Sequence, residues 1–500
     1  MNVYPRRPLF NRRPQSNIYR MFLWVILILV MVWVLQEVNK GDIRPLFQAT
    51  LTPTRAADSF ALQGDANFTA GNLDDAILAY QEAVRVDPSN AATWTKLARI
   101  QTYSSAFLIN DADKKERLLQ ALESARKAVE LAPDDSTAHA ILAFTLDWNA
   151  DTNIYSNDPQ QVQKFLSEAE LEAVKALNLD SSNTLALAFY AEILLDQQKW
   201  DQAQQNITLA LQREDADQIM DVHRVNAYLL ETLGQYNLAI SEYDKAIAIE
   251  PKFTFLYRRA GANYRRLAFE IPNIEEARPV YEKSLEYFDK AANINKTLEV
   301  YDPGPYLSIA STYSQMGEFF AAARNVQKAL EFDPTKADIY GQLGIVFFRS
   351  RNYEGSTYAL KCATYGCSGE DSCLGRGLEA CSEAPGEGPQ EIQGLELSPN
   401  SIVYYYTYGS VLAALSRPAK NNCDEAMAVF GDIRDELASK PEQYADSSTT
   451  VLSIVRDGEF ICNSLAKGKT PTASVTDEAG NPIVDITPTP LLIETMTPSP

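Results

Sequence analysis

The stretch GNLDDAILAYQEAVRVDPSN (71–90) returns as GQYNLAISEYDKAIAIEPKF (234–253) and again as GEFFAAARNVQKALEFDPTK (317–336). Each copy opens on Gly and reaches an aromatic residue or Leu two positions on. Each then sets Ala, an apolar or aromatic residue, Ala and Pro at fixed offsets. Self-similarity on this scale marks a stacked array rather than a single-core domain. The chain of 500 residues is long enough for two to four ordinary domains or one such array. Its 46% hydrophobic and 10% aromatic content supports a packed core, so the chain as a whole is not disordered. A net charge of −21 and a pI near 4.7 exclude a general grip on nucleic acid, which needs a cationic footprint.

The three stretches resemble the tetratricopeptide repeat, a pair of antiparallel helices, and the resemblance extends over most of the chain. Carried over to these positions, it implies a small residue late in each second helix, at Ala83, Ala128, Ala176, Ala210, Ala246, Ala291, Ala329 and Ala363. It implies another near that helix's start, at Ala76, Ala121, Ala169, Ala203, Ala239, Ser284, Ala322, Ser356 and Ala426. The closing proline falls at Pro88, Pro133, Pro251, Pro334 and Pro399, with Ser181, Asp215 and Lys296 in its place elsewhere. The spacing has a packing reason. Two helices cross closely only where one face offers small side chains, with aromatic residues and Leu filling the gap beside them. Phe60, Trp94, Tyr257, Tyr306 and Tyr340 are thus expected to pack on Tyr80, Tyr243 and Phe288.

Intervals along the late-Ala column are 45, 48, 34, 36, 45, 38 and 34 residues. About eleven extra residues make roughly three helical turns, which lengthen a helix without rotating its packing face. The insertions near YSSAFLINDADKKERLL and LAFEIPNIEEARPVYEK therefore predict longer helices or extended turns, and DWNADTNIYSNDPQQ predicts a loop. The expected fold is all-α: an α-solenoid of about nine such helix pairs over 56–466, with insertions and a C-terminal capping helix, preceded by one transmembrane helix. The ninth pair (402–440) is divergent, with Ile433 where Ala is expected. The Thr- and Pro-rich segment 467–500 predicts a disordered tail.

Ahead of the array, Met21 to Leu35 is an unbroken apolar run of fifteen residues. Extended to Val38, with Arg20 and Glu37 snorkelling at its edges, it predicts an uncleaved anchor over 21–38, followed by a linker over 39–55. Residues 1–20 hold five arginines and no acid, whereas Lys40, Arg44 and Arg55 are diluted by Glu37 and Asp42. This asymmetry predicts a single-pass protein of a bacterial cell membrane, with its basic N-terminus cytoplasmic and its array extracytoplasmic.

Only two histidines are present, His139 and His223, and no zinc-protease, nucleophile-elbow, Walker or dinucleotide motif occurs in a fitting context. No catalytic residue, metal or cofactor is therefore expected, and the chain reads as no enzyme. In resembling proteins the first helices line a concave face that receives a peptide or partner helix. The inward offsets fall on Phe144 and Trp148, then Arg224 and Tyr228, then Arg258, Arg265 and Arg266. Arginines beside tyrosines can pair with a partner's carboxylate or phosphate. The competing reading is that they neutralise Glu192, Asp196 and Glu231. The expected function is a membrane-tethered extracytoplasmic scaffold for protein or peptide partners, held by its single N-terminal helix, with no nucleic acid. A second reading is an accessory receptor for a small ligand, peptide or glycan, using tyrosines such as those of YYYTYG (404–409).

Six cysteines cluster late: Cys362, Cys367, Cys373, Cys381, Cys423 and Cys462. The first four are separated by four, five and seven residues, which matches neither paired C-x-x-C zinc ligation nor C-x-x-C-H haem attachment. An even count and an exported setting favour disulfides, although six cysteines permit fifteen pairings. The expected arrangement ties Cys423 to Cys462 and pins the 364–398 insertion to the eighth unit with two further bridges.

Overall fold

The computed structural model describes residues 17–40, 56–108, 111–152, 154–155, 158–382, 388–418, 420–445 and 447–467. The chain forms two units, Met1–Ala56 and Ala57–Pro500. The arginine-rich segment before residue 17, the linker over 41–55 and the Thr/Pro-rich segment over 468–500 lie outside the described residues, as do residues 383–387 of the cysteine-rich insertion.

In the first unit, helix α1 (Ile18–Lys40) carries the apolar run, and its side chains from Ile18 to Val34 are exposed. Fifteen apolar residues rise only about 22 Å, against roughly 30 Å of bilayer hydrocarbon. Among the described residues, no helix is long and apolar enough to cross a membrane. This overturns the expected single-pass localisation, and with it the membrane attachment and the outward placement of the array.

The second unit is a stack of helix hairpins. α2 (Ala57–Ala70) pairs with α3 (Leu73–Val86), α4 (Ala91–Ser104) with α5 (Asp111–Leu131), and α6 (Ser136–Asn149) with α7 (Pro159–Leu179). α8 (Thr184–Asp196) pairs with α9 (Trp200–Leu211), α10 (Met220–Thr232) with α11 (Tyr236–Ile249), and α12 (Thr254–Phe269) with α13 (Ile274–Thr297). α14 (Gly304–Gln315) and α15 (Phe319–Phe332) follow, then α16 (Ala337–Arg349) and α17 (Tyr353–Thr364). The short α18 (Gly369–Gly375) sits in the cysteine-rich insertion. The ninth pair is α19 (Ile402–Leu415) with α20 (Cys423–Ser439), and α21 (Ser448–Ala466) packs across both. Among the described residues there is no strand, only isolated bridges at Cys367–Ile392 and Arg417–Lys420.

Every residue of both small columns is at most 1% exposed, and so is the divergent Ile433. The close approach is visible at two glycines. A Cβ added at Gly64 or Gly261 would come within 2.7 Å of the ring of Tyr80 or Phe288, so each ring lies directly on the facing helix backbone. The long intervals in the sequence are absorbed by long second helices: α5 and α7 have 21 residues and α13 has 24, against 14 in α3. The described residues between α6 and α7 carry no helix, and α7 opens where Asp158 accepts from the Gln161 N–H (3.1 Å) ahead of Pro159.

A second repeated device joins consecutive hairpins. The Pro88 carbonyl accepts from Trp94 Nε1 (3.0 Å), that of Pro251 from Tyr257 Oη (3.1 Å), and that of Pro334 from Tyr340 Oη (2.9 Å). His139 Nε2 lies 2.9 Å from the Pro133 carbonyl in the same manner. Six residues separate the partners each time, so the polar tip of the first helix's ring satisfies a carbonyl freed at the preceding helix end. Within hairpins the turn needs left-handed backbone. Gly71, Gly234 and Gly317 supply it at φ 84°, 72° and 78°, while Gln198 and Arg351 adopt φ 60° and 63° at the same place. A side chain there costs about 1–2 kcal/mol relative to an ordinary conformation.

The superhelix also touches itself. Phe68 of α2 meets Phe253, which opens α12, with ring centroids 5.2 Å apart. Tyr103 of α4 lies 5.4 Å from Phe253 and 5.9 Å from Phe255. One apolar cluster consequently runs from Leu73 to Ala260, across hairpins distant in sequence.

At the other end, the Cys423–Cys462 disulfide ties the start of α20 to α21 across 39 residues. By the chain-entropy model such a loop contributes about 2–4 kcal/mol. Replacing both cysteines with Ala is expected to lower stability by that amount. Because stability in a repeat stack is local, the loss should show first as faster proteolysis within α21. Limited proteolysis with mass-spectrometric mapping checks it, and an unchanged cleavage rate there would contradict it.

Candidate partner-binding surface

The inner helices converge on Arg224. α10 places this side chain in the interior, 3% exposed. Its Nη1 and Nη2 donate to Glu192 Oε1 and Oε2 at 2.6 and 2.5 Å, and its Nε stands 3.6 Å from Asp221. The guanidinium lies 5.7 Å from the Phe144 ring centroid, 5.9 Å from Trp148 and 6.0 Å from Tyr103. Trp148 Nε1 also donates to Glu192 (3.3 Å), and Asp221 accepts from both Tyr103 and Arg99. Burial alone would favour the neutral guanidine, but Glu192 and Asp221 hold the Arg224 pKa above its ordinary value.

Beside this ion pair lie two further acids. Asp147 is 4% exposed and neither carboxylate oxygen has a hydrogen-bond partner. Burial, then the charges of Asp196 and Glu192, push its pKa well up, with Arg224 opposing. Asp196 accepts from Tyr228 Oη (2.8 Å). Burial and Glu192 nevertheless raise it to about 7, against the pull of Tyr228, Arg259 and Arg224.

The sign of the resulting pH dependence follows from linkage. A carboxyl raised above its unfolded value binds more protons folded than unfolded between about pH 4 and 7, so stability falls as pH rises through that window and levels off above it. Glu231 and Glu242 are held below the ordinary range, so they titrate at lower pH. The urea midpoint is expected to be higher at pH 5 than at pH 8, and Asp196→Asn should flatten the difference. A midpoint that rises with pH would contradict this.

The second cluster surrounds Glu231. Arg266 Nη1 lies at 2.7 Å and Arg259 Nη1 at 3.7 Å, while Tyr243 Oη (3.0 Å) and Asn263 Nδ2 (2.9 Å) donate to it. Farther along, Arg258 Nη1 stands 3.4 Å from Asp302. Arg265 has a carbonyl partner instead, donating to Ser308 O (3.2 Å) with its guanidinium 5.8 Å from the Phe288 ring. Burial and the neighbouring Arg266 lower Arg265 to about 10.

The structure therefore places Phe144, Trp148 and Arg224 together inside the stack, with Tyr228 joined to them through the acids. Arg258, Arg265 and Arg266 lie half-exposed along α12, each with a different partner. Beside this cluster, aromatic rings from α4 and the start of α12 pack on one another, Tyr103 lying 5.4 Å from Phe253 and 5.9 Å from Phe255. Arg99, Asp147 and Asp221 were not singled out by the sequence. A lone Glu in the apolar run TLALAFYAEILLD (184–196) was a usable signal, because a charge buried there needs a partner.

The cysteines lie apart from this region. Cys362 pairs with Cys367, Cys373 with Cys381 and Cys423 with Cys462. Of the two further bridges expected to pin the insertion, only Cys362–Cys367 reaches α17, because Cys373–Cys381 lies wholly within the insertion. Cys367 exchanges backbone hydrogen bonds with Ile392 (3.0 Å each way), closing the insertion on itself, and the Leu395 N–H donates to the Ala363 carbonyl of α17 (2.9 Å). Among the described residues, no group of three or more His, Cys, Asp or Glu side chains is placed to hold a metal ion.

Residues 64–101 match the family model described as TPR repeat, and residues 227–253 match that described as tetratricopeptide repeat. The chain carries tetratricopeptide repeats. Among curated proteins it is similar to mouse RNA polymerase II-associated protein 3, 27% identical over 269 residues, which is 51% of this chain and 38% of that protein. The rat protein of the same name is 23% identical over 270 residues, 53% of this chain and 39% of that one. The match thus spans well under half the length of these relatives. Solved tetratricopeptide structures include TTC0263 of Thermus thermophilus, at TM-score 0.34, 19% identity and coverage of 42% of this chain and 98% of that one. The human IFIT1 dimer with PPP-AAAA has TM-score 0.43, 15% identity and coverage of 83% and 90%. The expected membrane-anchored bacterial type finds no support among the family and curated matches.

Proposed function

We propose that the chain is a non-catalytic tetratricopeptide scaffold that assembles protein or peptide partners on its exposed and half-exposed surfaces. The observation that carries this reading is the stack itself: nine hairpins among the described residues, their interior occupied by the Arg224–Glu192 pair and the surrounding rings. A filled interior shifts docking to half-exposed groups such as Arg258, Arg265 and Arg266. Phe144, Trp148, Arg224 and Tyr228 then act as the support on which those groups are held. No observation favours the small-ligand reading. Tyr404, Tyr405, Tyr406 and Tyr408 are buried, and three of them donate internally, to Asp338, to the Thr364 and Leu395 carbonyls and to Glu425.

Cross-linking in intact cells followed by partner identification tests the scaffold. Recovery of no protein partner would overturn it. A double variant, Arg258→Gln with Arg265→Gln, leaves Arg266 on Glu231 and is expected to reduce partner recovery several-fold. Undiminished recovery would remove α12 from the docking surface.

A further inference from the structure

Outside the filled interior, a pocket of about 450 Å³ opens between two adjacent hairpin turns. One wall is the α14–α15 turn, Gly317 to Phe320, continuing to Arg324. The other is the α16–α17 turn, Arg349 to Arg351. Arg324 and Arg351 are exposed and Arg349 is half-exposed, and among the described residues none of the three makes an ion pair. Arg349 has aromatic residues for neighbours, its guanidinium lying 6.0 Å from the Phe319 centroid and near enough to Tyr406 to interact electrostatically. The one carboxylate in the lining, Glu318, is already held by Arg278 at 2.8 Å. In a chain with 66 acids against 45 basic residues, three arginines around one acid that Arg278 already holds leave charge for an external anion.

Two further observations narrow the ligand. Phe320 stands at the pocket's edge with 78% of its surface exposed, and Phe319 and Ala321 line the same wall, so part of the site is apolar. Arg351 is held at φ 63°, where the first, fifth and seventh hairpins use glycine and the fourth uses Gln198 at φ 60°. A strained side chain with no internal partner points to a use outside the fold.

We infer that this rim pocket binds an acidic peptide segment of a protein partner, its carboxylates on Arg324, Arg349 and Arg351 and an apolar side chain on Phe320. The inference rests on the scaffold reading and gives it a location and a ligand chemistry. Carboxylates alone would leave the apolar wall unused, and an apolar anchor alone would leave the arginines unpaired.

The test is fluorescence anisotropy of the full chain with a labelled nonapeptide alternating Asp or Glu with Leu. The acidic peptide should bind, and its affinity should fall as salt rises. Arg349→Gln and Arg351→Gly should each weaken it about tenfold, the loss of one charge-assisted contact. Phe320→Ala should weaken it as well. Arg351→Gly relieves the left-handed strain, so its melting temperature should equal or exceed that of the parent, which separates lost binding from lost folding. Unchanged affinity in the triple variant Arg324→Gln, Arg349→Gln, Arg351→Gly would overturn the proposal. So would equal binding of a matched Lys–Leu peptide, or displacement by orthophosphate at concentrations similar to the peptide's, which would indicate a free-anion site. If the acidic peptide fails while intact cells still yield cross-linked partners, the rim site falls alone. If no partner cross-links, the scaffold reading falls with it.

Discussion

Arg224→Ala is expected to destabilise the array by about 3–5 kcal/mol, the usual cost of stranding one member of a buried ion pair. The substitution leaves Glu192, fully buried, without its bidentate partner, and leaves Asp221 with Arg99 alone of its two arginines. It also empties a site ringed by Phe144, Trp148 and Tyr103. The remaining acids offer no relief, because Asp147 and Asp196 already lie beside Glu192. Arg224→Met with Glu192→Leu should recover most of the loss, since an apolar pair of similar volume removes the need for compensation. Chemical denaturation of the single and double variants decides the matter. Equal losses in both would mean that packing, and not the charge, dominates at this position.

Phe253→Ala carries the second large effect, again about 3–5 kcal/mol for removing a fully buried aromatic side chain. Phe253 is 1% exposed and touches the rings of Phe68, Tyr103 and Phe255. Those contacts join the first two hairpins to the sixth, so the variant should do more than lose stability. Small-angle scattering should report a larger radius of gyration as the stack relaxes. A variant at a neighbour-to-neighbour contact, such as Phe430→Ala in the ninth hairpin, should lose stability without that expansion. Equal dimensions for Phe253→Ala and the parent would show that the rings are not what holds the turns of the stack together.

Local features were legible in the sequence because they repeat. The small columns and the long second helices follow from spacing, since each depends on residues within one hairpin or its neighbour. The expected ring-on-ring packing did not name the glycine backbones at Gly64 and Gly261 on which Tyr80 and Phe288 lie, nor the rings of Tyr287 and Phe332 that meet Tyr257 and Tyr306. Pairing of Arg224 with Glu192 is foreseeable because adjacent hairpins place the same offset side by side. Arg99 meeting Asp221 is not, because 122 residues separate them and no periodicity encodes that approach. The rim pocket was hidden for a related reason: Gly317 to Arg324 and Arg349 to Arg351 are ordinary turns until they stand next to each other. Helix α1 shows the opposite failure. Counting Ile18, Arg20 and the polar end at Gln36 and Glu37 with its apolar run credits the helix with more apolar length than fifteen residues provide.

The meeting of Phe68 and Tyr103 with Phe253 also bears on how the chain reaches its structure. An open solenoid has mostly short-range contacts, can nucleate in any repeat and propagates by adding neighbours. Here a contact across about 150–185 residues must close before the aromatic cluster is complete, and the entropy cost of that closure comes before any contact offsets it. The six leading hairpins should therefore exchange their amide hydrogens as one cooperative block. The eighth and ninth, whose buried residues fall in other clusters, should open on their own schedule.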